Sequence, residues 1–351
     1  MADEELGFVD RVWYGDSTVA SIARAVLSPA ERVFRGVVGA RDILYDAGWL
    51  PSYETSIPAL SIGNLTVGGS GKTPVAAWIA RGLVARGSKP AIVLRGYGLD
   101  EPLVHKQLNP DVPIVTNADR VAAVAEAGRM GADIAVLDDA FQHRRVRRIA
   151  DLVLVSADQW TPEVHLLPAG PWREPLKAIR RATLVIVTRK AVDEKAVEAV
   201  HERLSQIAPA IPRVSVRFDL GDLADARDGS ITRPLASLSG TTVRAVLSIA
   251  HPAAFIQQLE QVGARVRASI YPDHHNFTPQ ETARIASEHD GVEWFICTLK
   301  DAVKLGPHWP RLAPPLWYVS QHVMVERGVG GIERLLDDVA RARQKMPSTA
   351  G

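Results

Sequence analysis

A chain of 351 residues, 46% of them hydrophobic and 23% charged, is long enough for about two domains that need no disulfides to hold a core. A formal net charge of +1 excludes a global attraction to nucleic acid, and a single cysteine excludes an internal disulfide framework and is typical of a reducing compartment. The acidic start of the chain lacks an export signal. No apolar run is close to the length of about 20 residues that a helix needs to span a bilayer. We therefore expect a cytoplasmic protein, which can still lie on a membrane surface.

Residues 12–50 are predicted to form two amphipathic helices separated at the segment SPAE. Ser28 is a candidate N-cap, Pro29 suits a first helical position, and Glu31 stands three residues after the cap. The apolar stripe of the second helix consists of Val33, Phe34, Val37, Val38 and Leu44. Arginines and aromatic residues flank this stripe, which is typical of a helix in a lipid headgroup layer; the alternative is a stripe that packs on the protein's own core.

From residue 57 onwards, short runs rich in Val, Ile and Leu alternate with helical segments, which predicts a doubly wound, mostly parallel sheet. The segment GNLTVGGSGKTP at residues 63–74 makes this sheet P-loop NTPase-like. The periodicity is lost after about residue 213, and a smaller α/β region follows it. The predicted organisation is a helical N-terminal part of the first domain at 1–50, a P-loop core at 51–215, a linker at 216–242 and a C-terminal α/β domain at 243–351.

The segment GNLTVGGSGKTP is close to the phosphate-binding pattern G-x-x-x-x-G-K-[ST], with Thr66 at the position of the first glycine. It follows an apolar strand and precedes a helix, so backbone N–H groups and the helix dipole converge on an anion. Thr66 is tolerated if that position needs no positive φ. The predicted nucleotide-binding residues are Thr66, Val67, Gly68, Gly69, Ser70, Gly71, Lys72 and Thr73. Lys72 would place a charge on the outer phosphates and Thr73 a hydroxyl on Mg²⁺.

The strand ADIAVLDDA ends in Asp138 and Asp139, about 65 residues after the glycine-rich loop. A carboxylate at such a strand end can hold the metal of a magnesium–nucleotide complex, directly or through water. Adjacent acids occur at strand ends by chance, but their combination with the loop in one α/β domain predicts a site for ATP and Mg²⁺.

Two clusters are candidates for activating an acceptor hydroxyl, which a kinase requires. Asp100 and Glu101 follow a strand, and Asp273, His274 and His275 lie in a loop after another strand. An Asp–His pair across a cleft between two domains could accept the proton of a sugar hydroxyl. Taken singly, each cluster also fits a plain interpretation as surface acids or as histidines in an ordinary loop.

The motifs GNLTVGGSGKTP, RGYG, DEP, DDAFQH, LLPAGPWREP, PDHHNFT and TLKDAVKL occur in this order. Together they resemble the tetraacyldisaccharide 4'-kinase family over about residues 12–335. The resemblance implies transfer of the γ-phosphate of ATP to the 4'-hydroxyl of a tetraacylated glucosamine disaccharide 1-phosphate. It also implies a monotopic enzyme on the cytoplasmic face of the inner membrane. The net charge leads us to expect no nucleic-acid partner, and no obligate protein partner is evident.

The same resemblance implies roles for individual residues. Asp100 would be the general base with His274 as its partner, and Asp138 and Asp139 would lie on the metal side. The residues implied to line the site are Glu101, His143, Arg173 and Glu174. The chain departs from the family pattern at Ala140, where the family has glycine, and at Leu299, where the family has glutamate.

Two other functions remain compatible with the residues alone. One is a soluble P-loop kinase or ligase that acts on a small metabolite and needs no membrane helices. The other is a nucleotide-gated, membrane-associated switch in which ATP binding sets the affinity for a partner.

Overall fold

The computed structural model describes residues 8–96, 98, 100–161, 163–250, 252–289 and 291–343. The first seven residues, where an export signal would begin, and the polar C-terminal tail lie outside the described part. Strands and helices alternate along the described chain from residue 59, which confirms the predicted α/β class.

The strands are β1 Ala59–Asn64, β2 Pro90–Leu94, β3 Ile114–Thr116, β4 Ile134–Asp138, β5 Ala150–Ser156, β6 Leu184–Arg189, β7 Arg213–Asp225, β8 Thr232–Arg233, β9 Thr242–Leu247, β10 Arg265–Ile270, β11 Trp294–Thr298 and β12 Leu316–Arg327. In the described residues they form one sheet in the order β10-β9-β11-β12-β7-β6-β5-β1-β4-β2-β3, with β8 beside the end of β7. Neighbouring strands are parallel except where β7 pairs with β12 and with β8.

The helices are α1 Phe8–Tyr14, α2 Thr18–Asp46, α3 Lys72–Val84, α4 Asp100–Leu108, α5 Arg120–Arg129, α6 Glu194–Ile207, α7 Pro252–Gln261, α8 Pro279–Ser287, α9 Leu299–Leu305 and α10 Val329–Ala342. They cover both faces of the sheet. Leu60 and Ile62 of β1 pack on the side of α3 and α10, whereas Ala59 packs on the side of α5. Every residue of β1, β2 and β4 is buried, which explains their continuous apolar runs.

The linker predicted at 216–242 is wrong for its first ten residues, because β7 continues to Asp225. Its first part pairs with β6, and most of its length pairs with β12. Val214, Val216 and Phe218 alternate along the strand and are buried, so the strand persists despite the charged residues between and after them. The two predicted α/β regions therefore meet as halves of one sheet.

The two helices predicted in residues 12–50 are also corrected. Helix α2 runs without interruption through Pro29, and its N-cap is Ser17. Proline removes one backbone donor, a loss that a 29-residue helix with packed residues on both sides of the proline can absorb. Glu31 forms no capping box: its carboxylate accepts a hydrogen bond from the backbone N–H of Leu166 at 3.0 Å.

The apolar stripe of α2 is divided between the protein and its surroundings. Val38 is buried, and Phe34 packs against the core beside β5 and β6, as the alternative interpretation expects. A second row is exposed to solvent, and it consists of Val19, Ile22, Val26, Val33 and Val37. Among the helices of the described residues, none is both long enough and apolar enough to cross a membrane.

Candidate active site

A cavity of about 1020 Å³ lies at the carboxyl ends of the parallel strands, where open α/β sheets bind ligands. The loop after β1, the end of β4 and the start of α4 form one part of its wall, and residues after β10 and β11 form the facing part. The predicted site residues in the wall are Val67, Gly68, Gly69, Ser70, Gly71, Lys72, Thr73, Asp100, Glu101, Asp138, Asp139, His143, Arg173 and His274. The sequence therefore identifies most of a site whose parts are distant along the chain.

The glycine-rich loop connects β1 directly to α3. Gly71 has φ of 86°, and a Cβ atom there would lie 2.3 Å from the ring of Phe218, so only glycine fits. Helix α3 begins at the next residue, which aims its N-terminal N–H groups at the cavity. In the described chain, positive φ in residues other than glycine occurs at Asp139 and His274, so Thr66 has an ordinary backbone conformation.

Thr66 does not reach the cavity, contrary to its predicted place in the nucleotide site. Its backbone carbonyl instead accepts a hydrogen bond from Nε of Arg173 at 3.0 Å, and it forms an antiparallel bridge with Trp172. The physical reason is that the chain is still leaving β1 at this point and pairs with the segment around residue 172. Thr66 thus holds the arginine that does line the cavity.

Asn64, at the end of β1, organises the charged groups around the loop. Its Oδ1 accepts hydrogen bonds from Lys72 at 3.3 Å and from Arg173 at 2.9 Å. Its Nδ2 donates to the hydroxyl of Ser70 at 2.8 Å. The side chain is fully buried, so these contacts fix both cations beside the loop. Sequence reasoning missed this residue, although its position at a strand end was a usable signal.

Asp139 lies between two cations. Arg173 donates to its two carboxylate oxygens at 3.2 and 3.3 Å, and Nζ of Lys72 is 3.8 Å away. Burial raises the pKa of Asp139, but the charges of Lys72 and Arg173 outweigh it, so the pKa is lowered. Burial lowers the pKa of Lys72, although Asp139 opposes that shift.

Asp138, at the end of β4, is arranged differently. It is buried, its Oδ2 lies 3.0 Å from Nε2 of His105, and its Oδ1 has no hydrogen-bond partner. An unpartnered carboxylate oxygen at the border of a phosphate-binding cavity fits a divalent cation. No group of three His, Cys, Asp or Glu side chains suited to a metal ion occurs among the described residues. Mg²⁺ does not require such a group, because it takes one or two carboxylates together with phosphate oxygens and water.

Asp100 begins α4 and faces the residues that follow β10 and β11. Its Oδ2 lies 3.3 Å from Nδ1 of His274 and 3.9 Å from Nζ of Lys300. Lys300 also lies 3.0 Å from Asp273 and 3.2 Å from Nε2 of His274. Burial raises the pKa of Asp100, but the interaction with His274 and the charge of Lys300 prevail and lower it. The interaction with Asp100 raises the pKa of His274, against the opposing effect of burial.

Glu101 and His143 also line the cavity. Burial and the nearby charges of Asp138 and Asp100 raise the pKa of Glu101. Burial and the charges of Arg120 and Arg95 lower the pKa of His143 to about 4. These surroundings thus favour the neutral imidazole of His143 and make the Glu101 carboxyl harder to ionise than a free glutamate.

Arg120 and Lys190 are among the cationic residues of the wall that sequence reasoning missed. Arg120 donates to the backbone carbonyls of Asn117 at 3.0 Å and Asp138 at 3.4 Å. Burial lowers its pKa to about 10. Lys190 directly follows β6, and its Nζ donates to the carbonyl of Gly69 at 3.3 Å. Both follow the ends of parallel strands, and that position is the signal that could have identified them.

The sequence predicts Glu174 in the wall, but the structure places it elsewhere. The side chain is fully buried, and its two oxygens accept hydrogen bonds from Arg41 of α2 and from Arg181. Because Asp42 also pairs with both arginines, the four residues form a charged network behind the segment that carries Arg173. Its burial away from the cavity gives Glu174 a supporting position.

The departures from the family pattern are both accommodated. Ala140 is fully buried after β4, where its methyl group joins the apolar cluster beside α5. Leu299, the first residue of α9, borders the cavity next to Lys300.

The family model described as tetraacyldisaccharide-1-P 4'-kinase matches residues 23–99 and 100–340. A tetraacyldisaccharide 4'-kinase of Anaeromyxobacter sp. (strain Fw109-5) is 35% identical over 378 aligned positions, which cover 99% of this chain and 100% of that protein. The one of Halorhodospira halophila (strain DSM 244 / SL1) is 35% identical over 317 positions, covering 85% of this chain and 88% of that protein.

Among solved structures, a crystal structure of LpxK from Aquifex aeolicus in complex with ATP aligns with a TM-score of 0.69. The two chains are 25% identical, and the alignment covers 90% of this chain and 99% of that one.

Proposed function

The chain belongs to the tetraacyldisaccharide-1-P 4'-kinase family, and we propose that it transfers the γ-phosphate of ATP to the 4'-hydroxyl of a tetraacylated glucosamine disaccharide 1-phosphate, a lipid A precursor. The observation that carries the proposal is one cavity with a phosphate-binding loop at one wall and an Asp100–His274 pair facing it. The similarity to a structure determined with ATP supports the choice of phosphate donor.

The loop and its cations bind the triphosphate. Backbone N–H groups at the start of α3 donate hydrogen bonds to the phosphate oxygens, and Lys72 places its charge at the outer phosphates. Arg173 and Lys190 lie on either side of the loop. These groups are held by the protein before the nucleotide arrives, so they lose little energy to rearrangement as charge develops on the transferred phosphate.

Asp138 is the residue that we assign to the metal. Mg²⁺, when bound, neutralises phosphate charge and helps to align the phosphates for transfer. Both oxygens of Asp139 are engaged by Arg173, whereas Oδ1 of Asp138 is unpartnered. Asp138 and the hydroxyl of Thr73 would therefore hold the cation, and Asp139 would keep Lys72 and Arg173 in place.

Asp100 receives the proton of the acceptor hydroxyl as the hydroxyl oxygen bonds to the γ-phosphorus and ADP leaves. Its lowered pKa keeps it ionised, and therefore able to accept a hydrogen bond from the hydroxyl, near neutral pH. A weak base suits a loose phosphoryl transition state, in which positioning of the hydroxyl matters more than early deprotonation. His274 and Lys300 hold the carboxylate in this orientation.

The exposed apolar row of α2 is the element that we propose to dock on the cytoplasmic face of the inner membrane. Val19, Val26 and Val37 recur at helical spacing and are 70, 73 and 62% exposed. A four-chain lipid leaves a bilayer at a cost of about 0.8 kcal/mol for each CH₂ group, so the enzyme has to approach the lipid. Helix α2 also touches the site from behind, through Arg41 and Glu174.

Docking is tested by co-sedimentation with anionic phospholipid vesicles. The double variant Val26→Asp/Val37→Asp is expected to lose vesicle binding, because two charges would enter the apolar layer. Leu312→Asp is the control, since Leu312 is likewise an exposed apolar residue but lies outside α2. Equal binding by all three proteins would contradict docking through α2.

The proposed reaction is tested with γ-labelled ATP and the tetraacyl disaccharide 1-phosphate in detergent micelles. We expect label to enter the lipid, with the new phosphate on the 4'-oxygen by NMR of the product. Transfer only to small water-soluble sugars would favour the soluble kinase, and ATP binding without transfer to any acceptor would favour the nucleotide-gated switch.

A further inference from the structure

Helix α4 carries a histidine, His105, that lies behind the cavity wall. Its side chain is fully buried, and its Nε2 lies 3.0 Å from Oδ2 of Asp138. Glu101, one turn earlier on the same helix, borders the cavity, whereas His105 does not. The helix that begins with Asp100 therefore also contacts the carboxylate at the end of β4.

The direction of this hydrogen bond follows from the chemistry of the partners. An ionised carboxylate only accepts, so Nε2 of His105 donates to Asp138. The other ring nitrogen, Nδ1, has no hydrogen-bond partner among the described residues. Burying a polar ring that is satisfied on one side only is costly, and the hydrogen bond to Asp138 offsets part of this cost.

The contact divides the two oxygens of Asp138 between different tasks. Oδ2 is occupied on the side of His105, away from the cavity, and Oδ1 is left without a partner. The backbone of Asp138 is fixed as well, because Arg120 donates to its carbonyl oxygen at 3.4 Å. With the backbone and one oxygen held, rotation of the carboxylate is restricted and Oδ1 is the oxygen available to a ligand.

We propose that His105 is a positioning residue that fixes Asp138 for ligation of the divalent cation through one oxygen, Oδ1. The proposal rests on the metal–nucleotide site of the proposed function and adds the residue that orients its carboxylate. Side chains that hydrogen-bond to a metal ligand restrict its orientation, and their removal typically lowers metal affinity by about 10- to 100-fold.

The test measures the affinity for a non-hydrolysable ATP analogue with MgCl₂ and with EDTA, and takes the ratio of the two dissociation constants as the metal-dependent gain. His105→Leu removes the donor and is expected to lower this gain by about tenfold or more. Its affinity in EDTA should be unchanged. His105→Gln retains an N–H donor near the place of Nε2 and should keep most of the gain. Electron paramagnetic resonance of Mn²⁺ in the ternary complex gives an independent readout of its ligation.

His201→Leu is the matched control. His201 is buried and lies 2.7 Å from the hydroxyl of Ser215, so this change also removes a buried histidine contact, but outside the cavity wall. The control should keep the metal-dependent gain. If His105→Leu fails to fold, His105→Asn replaces it, because the shorter amide does not reach Asp138.

The outcomes separate the two claims. Equal gains in the wild type and a folded donor-less variant would overturn the positioning role while leaving the kinase proposal intact. An equally large loss in His105→Gln and His105→Leu would also overturn it, since the donor would not be the property that matters. A wild-type protein without any metal-dependent gain would instead contradict the metal site itself.

Discussion

The two facing walls of the cavity are built in different ways. The phosphate wall, formed by Lys72, Asp138, Asp139 and Arg173, takes its residues from one half of the sheet, where Asp139 contacts Lys72 and Arg173 and both of these cations contact Asn64. The acceptor wall, formed by Asp273, His274 and Lys300, comes from the other half and contacts Asp100 across the cavity.

This difference assigns nucleotide binding and activation of the acceptor hydroxyl to different walls of the cavity. The phosphate wall draws its residues from one half of the sheet, so we expect it to bind nucleotide without help from the acceptor wall. The Asp100 carboxylate is held only when α4 and the residues after β10 and β11 lie together. Removing a residue of the phosphate wall should therefore lower both the affinity for nucleotide and the rate of phosphate transfer. Removing Asp100 or a residue of the acceptor wall should lower mainly the rate of transfer.

Lys72→Met should have the largest effect. The variant loses the cation next to the outer phosphates, and we expect transfer to fall by about a thousandfold or more, with weaker ATP binding. Single-turnover transfer and isothermal titration with an ATP analogue measure the two effects, and circular dichroism checks the fold. Wild-type transfer by this variant would exclude the glycine-rich loop as the phosphate site.

Asp100→Asn should sharpen the contrast between the walls. We expect the rate of transfer to fall by about a hundredfold or more, because the amide cannot accept the hydroxyl proton. The dissociation constant for ATP should stay the same, since Asp100 does not contact the loop. Asp111→Asn, an exposed position shortly after α4, is the control. An unchanged rate in Asp100→Asn would assign the base to another group, with Glu101 the nearest candidate.

Glu174→Gln tests how the phosphate wall is supported from behind. The change leaves Arg41 and Arg181 without their shared carboxylate. We expect the free energy of unfolding in urea to fall by about 2–3 kcal/mol. This is less than the usual cost of breaking a fully buried ion pair, because both arginines are partly exposed. Glu163→Gln is the control, because this carboxylate lies in the same segment but is exposed. Equal stability of the two variants would remove the supporting role.

The smallest effect is expected for the stability of His274→Gln. It should be seen as a change in the way that the free energy of unfolding depends on pH. The pKa of His274 is raised in the folded protein, so its contribution is fully present below the unfolded pKa of about 6.5 and is lost as pH rises through the higher folded value. The pKa of Asp100 is lowered, so its contribution is present above about 3.8 and is lost as pH falls through the lower folded value.

Urea unfolding of the nucleotide-free protein at pH 6 and pH 9 measures this effect. The free energy of unfolding of the wild type should exceed that of His274→Gln at pH 6, and this difference should be lost by pH 9. An advantage that is constant with pH would show that the charge of His274 plays no part in its contact with Asp100.

The sequence predicted those parts of the site that are encoded locally. The loop around Lys72, the acids after β4 and the cluster at His274 each lie in one short segment next to a strand end, and parallel strands bring such ends to one edge. The fold class followed from the same alternation of buried strands and helices.

The remaining features depend on contacts between distant segments. Glu174 lies beside Arg173 in the sequence, but its partner Arg41 belongs to α2, 133 residues earlier. His105 pairs with a carboxylate 33 residues away, and nothing in its own segment marks that contact. Pro29 carries a strong local signal for a helix start, and tertiary packing along α2 overrides it.

In the proposed reaction, the phosphate wall and the acceptor wall act on one reaction centre. A crystal structure with a non-hydrolysable ATP analogue, Mg²⁺ and the disaccharide acceptor would test this directly. We predict the γ-phosphate beside Nζ of Lys72 and the 4'-oxygen within about 2.6–3.2 Å of the Asp100 carboxylate. An acceptor hydroxyl bound away from Asp100, or a triphosphate bound outside the loop, would contradict the account.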